Sequence, residues 1–353
     1  MKHRFLTTAQ FWMPVVMAMA ALSLIALPIA AQAPRPASSA AAKTWTPPKT
    51  SWGDPDLQGI YTSDDYIGLG MNRAAQYGNR LYFTEEEMAA REKTIQTRAQ
   101  SDLVEFANPN GNVGTGPPGH WGERARRSPR QTSLIIEPED GQTPALTDEG
   151  RARQATYTRQ GAGSANPEDS WEGYTYYIRC ITRGIAGSVV PVIYGNGTEI
   201  VQGPGYVAIL QEMVHEARII PLDGSPHVGA GIKTYMGDSR GRWEGNTLVI
   251  ETKNILGNKT GISGNGGGGA PFSEDAKFTE RLTRTDKDTI QYSMRVEDPR
   301  TYTAPFTFTF PIRREPGYQN FEYACHEGNH GMMNQLSGAR ADERRAHEAA
   351  NQK

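Results

Sequence analysis

Residues 235–254, YMGDSRGRWEGNTLVIETKN, decide how this chain is read. The preceding Ile232–Met236 is apolar and β-prone, and Gly237-Asp238-Ser239 reads as a turn. Glu244-Gly245-Asn246 reads as a second turn, and Thr247–Thr252 then alternates. Leu248 and Ile250 fall on one face of that strand, and Thr247, Val249 and Glu251 on the other. The pattern returns at Leu282–Asp298, where Thr285-Asp286-Lys287-Asp288 precedes the β-prone Thr289–Met294. Two such units in sequence predict an antiparallel meander on which other segments pack.

Working outward, Thr198–Asp223 is dense in strand signals. Val207, Ile209, Gln211 and Met213 alternate with Ala208, Leu210 and Glu212, and Arg218–Leu222 forms a further strand before the turn Asp223-Gly224. Phe306–Ile312 (FTFTFPI) alternates cleanly and is expected to close the sheet. Ser170–Arg183 (SWEGYTYYIRCITR) carries four aromatics, with Tyr174, Tyr176 and Ile178 alternating with Thr175, Tyr177 and Arg179, a cluster that suits core packing. Toward the N-terminus, Leu57–Thr62 is a first strand and Ser133–Glu137 a short one ended by Pro138. Thr84 and Glu87 make a capping box for a helix over Thr84–Ser101. Thr147 caps a second helix running to about Arg159.

The fold class that follows is mainly β: an antiparallel lipocalin-like barrel or strongly curved sheet, with one or two helices and long N-terminal loops. Gly59-x-Tyr61 resembles the Gly-x-Trp signature that opens the first strand of lipocalin-type barrels, with Tyr in place of Trp. The expected organisation is a signal peptide over 1–31, a linker over 32–51, an N-terminal wrapping region over 52–170, a barrel-like core over 171–336 and a charged tail over 337–353. With 38 glycines and 23 prolines in 353 residues, turns rather than long helices dominate the connections.

Lys2, His3 and Arg4 precede an apolar run, Phe11–Ala31, that ends in small residues. This is the layout of an export signal cleaved after Ala31, an uncleaved anchor being the alternative. After signal removal no stable membrane span is expected. The exported destination is the periplasm or the medium. There, the chain's two cysteines, Cys180 and Cys325, are expected to pair. A formal net charge of −2 with scattered Lys and Arg argues against a nucleic-acid surface. The basic run Arg124–Arg130 reads as a solvated loop, with an anion or membrane contact as its functional reading. Asn108–Gly119 and Gly257–Gly269 are Gly-rich loops; the second lacks the G-K-[ST] ending of a phosphate loop, and no cofactor is expected.

Three constellations bear on chemistry. His326-Glu327-Gly328-Asn329-His330 spells H-E-x-x-H, but Gly328 and Asn329 are poor helix formers and no third ligand follows, so no metal is expected. Gly237-Asp238-Ser239-Arg240-Gly241 spells G-x-S-x-G without the following helix of a nucleophile elbow, which leaves Ser239 as a turn residue. Glu212, His215, Glu216 and Arg218 sit between two strong strands, where acid, imidazole and guanidinium suit acid–base work or an anionic ligand.

Several segments together resemble a family of secreted, mostly uncharacterised bacterial proteins. They are Trp45–Pro48 with Trp52–Gly59 (WGDPDLQG), Ser133–Gly141, Arg179–Gly184 (RCITRG), Ile200–Gly224, Met236–Thr252, Val296–Pro299 (VEDP) and Tyr323–Asn329 (YACHEGN). The resemblance implies export and supports pairing of the cysteines, both of which lie in shared motifs, and implies no particular activity. His330 stands where that pattern usually has Tyr.

The favoured function is an exported protein that binds a small apolar or aromatic molecule in the barrel, lined by Tyr206, Glu212, His215, Arg218, Tyr235 and Trp243. The enzyme alternative is a metal-independent hydrolase or lyase using His215 or His326 with Glu212 or Glu327. The third reading is a cell-envelope interaction protein. Nothing in the chain fixes an oligomeric state.

Overall fold

Strands form where bulky apolar side chains recur at every second residue, because one face of each strand then meets the core. The computed structural model describes residues 45–101, 125–157, 167–262, 270–315 and 317–352. The expected signal segment 1–31, the expected loop Asn108–Gly119 and most of Gly257–Gly269 lie outside them. The first part of the described chain contains β1 (Gly59–Thr62), α1 (Glu85–Ser101), β2 (Ile135–Glu137), α2 (Asp148–Thr156) and the single turn α3 (Gly184–Gly187). The strands then follow closely: β3 (Thr198–Gly203), β4 (Tyr206–Gln211), β5 (Ala217–Pro221), β6 (Asp238–Glu244) and β7 (Thr247–Lys253). After β8 (Lys277–Arg284), β9 (Thr289–Glu297) and β10 (Phe306–Arg314), the chain ends in α4 (His330–Asn351).

All ten strands make one antiparallel sheet, in the order β5-β4-β3-β1-β10-β9-β8-β7-β6, with β2 paired to β10 alone. The run β6 to β10 is the meander that the sequence predicts. The two edges, β5 and β6, come to lie side by side, so the sheet is a nearly closed barrel. Closure depends on Gly241 of β6. A Cβ there would stand 2.6 Å from Leu222 Cδ2 and 2.9 Å from Ile220 Cγ2 across the seam. Phe278, Leu282, Tyr292, Met294, Phe308 and Phe310 are among the side chains that fill the core.

Both helix caps form as expected. Glu87 accepts from the Thr84 amide at 2.7 Å while Thr84 Oγ1 accepts from the Glu87 amide at 3.2 Å. Thr147 Oγ1 accepts from the Gly150 amide at 2.9 Å. Among the described residues no helix is long and apolar enough to cross a membrane.

Four local expectations change. β10 does not close the sheet; it lies in the middle, flanked by β9 on one side and by β1 and β2 on the other. The alternating Tyr174–Arg179 is not a strand, since backbone bonds from Arg179 to Thr175 and from Cys180 to Tyr177 wind it into turns. Residues 52–170 contribute β1 and β2 to the sheet itself.

The fourth change falls in the opening stretch. Ile232–Met236 is irregular, with Ile232 exposed, and the strand begins at Asp238. Ser239 is therefore a strand residue whose side chain is buried. Its Oγ shares a 2.8 Å hydrogen bond with Thr252 Oγ1, directly across the ladder. Ser239→Ala strands the buried Thr252 hydroxyl and is expected to cost about 1–2 kcal/mol. An unchanged urea midpoint would contradict the buried pair.

Candidate functional site

The ladder registers put the β4 end, the β5 start, the β6 start and the β7 end at one rim of the barrel. The disulfide lies at this rim. Cys180 and Cys325 are bonded, with Cα atoms 5.6 Å apart. Cys180 is buried and takes a positive φ of 57°.

The β4–β5 turn clamps the two segments that the disulfide joins. Glu212 Oε2 accepts from the Tyr318 phenol and, at 3.3 Å, from the Gly197 amide. Its Oε1 accepts from the Phe321 amide at 3.3 Å. Gly197 is what allows this approach, since a Cβ there would meet Glu212 Oε2 at 2.7 Å. Glu216 holds the other segment: Oε1 accepts from Thr182 Oγ1 at 2.6 Å, and Oε2 from the Arg183 amide and Ser188 Oγ at 3.4 Å each. Burial pushes the Glu216 carboxyl up from its ordinary pKa, and these donors pull it part of the way back. His215 between them is exposed, has a φ of 59°, and faces the Tyr323 carbonyl oxygen at 3.4 Å through Nδ1.

Beneath the turn Arg183 is buried, and burial lowers its pKa to about 10. Its guanidinium lies 5.9 Å from the Tyr177 ring centroid, and the stacked rings of Tyr194 and Tyr323 are 6.4 Å apart. Burial raises the Tyr177 phenol to about 12 and also pushes the Tyr323 phenol up from its ordinary value. A neutral phenol cluster around a buried cation can hold the segments in place; its groups offer a ligand little exposed surface.

On the outside of the same rim lies an aromatic platform. Trp171 is half exposed, and the Arg179 guanidinium sits 4.5 Å from its ring centroid. Arg179 also stands 5.2 Å from the Tyr176 ring, as does the Lys259 ammonium. Tyr235 is 5.5 Å from Tyr176, centroid to centroid. Cations over ring faces stabilise such groups by about 0.5–1 kcal/mol each where exposed.

The expected lining set does not converge. Glu212, His215 and Tyr235 belong to the disulfide rim. Tyr206 and Trp243 belong toward the opposite end, where Tyr206 pairs with Pro221 and Trp243 with Leu248. The Tyr206 ring lies over Gly203 on the outer surface. Arg218 points inward, into a bidentate pair with Glu280 at 2.6 and 2.9 Å. Between Arg218, Glu280, Tyr292, Ile209, Gln211 and Phe310 the interior void is about 10 Å³, room for about one water. Among the described residues, large side chains from β8, β9 and β10 fill this part of the barrel and leave no room there for the expected ligand. Clefts of about 540 and 560 Å³ lie elsewhere, one beside α2 and one over β9 and β10.

His326 and Glu327 are exposed in the turn after Cys325, and neither approaches Arg179 or Arg183 within bonding distance. His330 opens α4, so the two histidines of H-E-x-x-H do not share a helical face. Among the described residues no group of three or more His, Cys, Asp or Glu side chains is arranged to hold a metal ion. Sequence reasoning missed Trp171, Tyr176 and Lys259 as a platform. Aromatic density in 170–183 was the available signal for the first two, and Lys259 gave none. Comparison with protein-family models, with curated proteins and with solved structures returns no match.

Proposed function

We propose that this is an exported binding protein whose ligand is a small aromatic molecule, held on the platform at the disulfide rim rather than inside the barrel. The observation that carries the reading is the half-exposed Trp171 ring joined through Arg179 to Tyr176, Tyr235 and Lys259. Rings fixed by stacked cations lose little freedom when a flat ligand docks. Their electron-rich faces offer offset stacking, while Arg179 and Lys259 favour a ligand that carries negative charge. The N-terminal signal pattern, the resemblance to secreted bacterial proteins and the bonded cysteines support export.

The test is a fluorescence and calorimetric titration with a panel of aromatic acids, aromatic alcohols and aliphatic acids of matched size. Aromatic members are expected to bind, and Trp171→Ala or Tyr235→Ala to weaken them by up to about tenfold, the worth of one stacked pair. Tyr206→Ala, toward the far end, should change nothing. Equal affinity in the parent and both platform variants, or no aromatic preference across the panel, would remove the reading.

A further inference from the structure

The basic run before β2 has a role that the platform does not use. Its arginines separate by partner. Arg126 pairs with Glu315, and Arg130 with Glu85 at 3.0 Å. The Arg127 side chain is exposed and forms no hydrogen bond or ion pair with a described residue; its amide is held by Asp65 Oδ1 at 3.1 Å.

Arg127 lines the cleft of about 560 Å³ that lies over the outer faces of β9 and β10. That volume is within the range of small-molecule sites. The floor includes Thr289, Gln291 and Thr309 along with Pro311 and Arg313, and Gln291 Nε2 donates to Thr309 Oγ1 at 2.6 Å. One wall offers Tyr82, a residue 58% exposed, a large aromatic left open to solvent beside polar groups. Three guanidiniums, Arg127, Arg130 and Arg313, face two carboxylates, Asp65 and Asp286. Asp65 is already engaged by two backbone amides and by Arg313 at 3.3 Å, and Asp286 accepts from the Asp288 amide at 2.8 Å. With Arg130 met by Glu85 and Arg313 by Asp65, Arg127 is the cleft guanidinium that has no ion pair with a described residue.

We infer that this cleft binds an acidic sugar, a uronic acid or a short oligomer of one. A guanidinium matches a planar carboxylate in a two-bond fork. Threonine hydroxyls and a glutamine amide donate and accept, as a ring bearing several hydroxyls requires. An exposed tyrosine ring gives the apolar face of a sugar a flat surface. No residue is shared with the platform, so the two readings stand or fall separately.

Calorimetry with di- and trigalacturonic acid, the matched neutral galactose oligomers and sodium sulfate tests the assignment. The acidic oligomers are expected to bind at least tenfold more tightly than the neutral ones and more tightly than sulfate. Arg127→Ala is expected to weaken them at least tenfold and Tyr82→Ala several-fold, while Tyr235→Ala leaves them unchanged. Both residues are exposed, and circular dichroism checks that the variants fold. Equal binding of neutral oligomers, equal binding of sulfate, no binding of the acidic oligomers, or indifference to both substitutions would each overturn the inference.

Discussion

Arg218→Met is expected to destabilise the protein by about 3–5 kcal/mol, the usual cost of leaving half of a buried ion pair behind. Arg218 and Glu280 are 4% and 0% exposed and bond through two N–H groups, at 2.6 and 2.9 Å. The Tyr292 phenol donates to the same carboxylate at 2.9 Å. Burial works against the charged guanidinium, but Glu280 beside it holds the Arg218 pKa above its ordinary value. Without Arg218 the carboxylate keeps one phenol donor inside an apolar barrel. The triple variant Arg218→Met/Glu280→Leu/Tyr292→Phe removes every member of the network, and is expected to recover most of the lost stability. Urea unfolding of the single and triple variants checks both statements. A single-variant loss below about 1 kcal/mol would show that the pair is hydrated, and that the barrel interior is wetter than its packing indicates.

The same pair shows what was legible in the sequence. In β8, Phe278, Glu280 and Leu282 share one face, so period-two alternation already places Glu280 among core residues. Its partner stands 62 positions earlier, and the sequence contains nothing that joins them. β9 and β10 were legible because Ile290, Tyr292, Met294, Phe306, Phe308 and Phe310 fall on inward positions. β6 was not, because its inward positions carry Ser239 and Gly241. Gly241 is small because β5 approaches it across the barrel seam, a long-range cause that local pattern cannot carry. The filling of the interior around Arg218 was not legible for a related reason. Whether a barrel is hollow depends on how much side-chain volume meets at its centre, and that sum involves strands from across the chain. At the rim, Glu212 and His215 were found from residue type alone. Their work as clamp and neighbour depends on Tyr318, Gly197 and Tyr323, which the sequence places far from them.

Replacing both cysteines by serine is expected to cost about 2–4 kcal/mol, below the ceiling of about 5 kcal/mol that chain entropy sets for so long a loop. The bond spans 145 residues and joins the platform segment to the segment that leads into α4. It does not act alone there. Asn329 Nδ2 donates to the Ile178 carbonyl at 2.8 Å, and Glu212 holds Tyr318 and the Phe321 amide. These contacts keep the two segments together in the folded state after the bond is gone, so the loss falls mainly on the unfolded side, where the chain regains its freedom. Two consequences separate this account from one in which the disulfide is the sole fastening. The serine variant should fold and retain aromatic binding at the platform within a few-fold. Adding Glu212→Gln should then cost more in the serine background than in the bonded protein, because neighbouring fastenings are not additive. Non-reducing peptide maps of the purified protein establish the Cys180–Cys325 pair, and urea midpoints of the four proteins measure the coupling. A serine variant that folds but has lost the platform's ligand would show that the bond positions Arg179 directly.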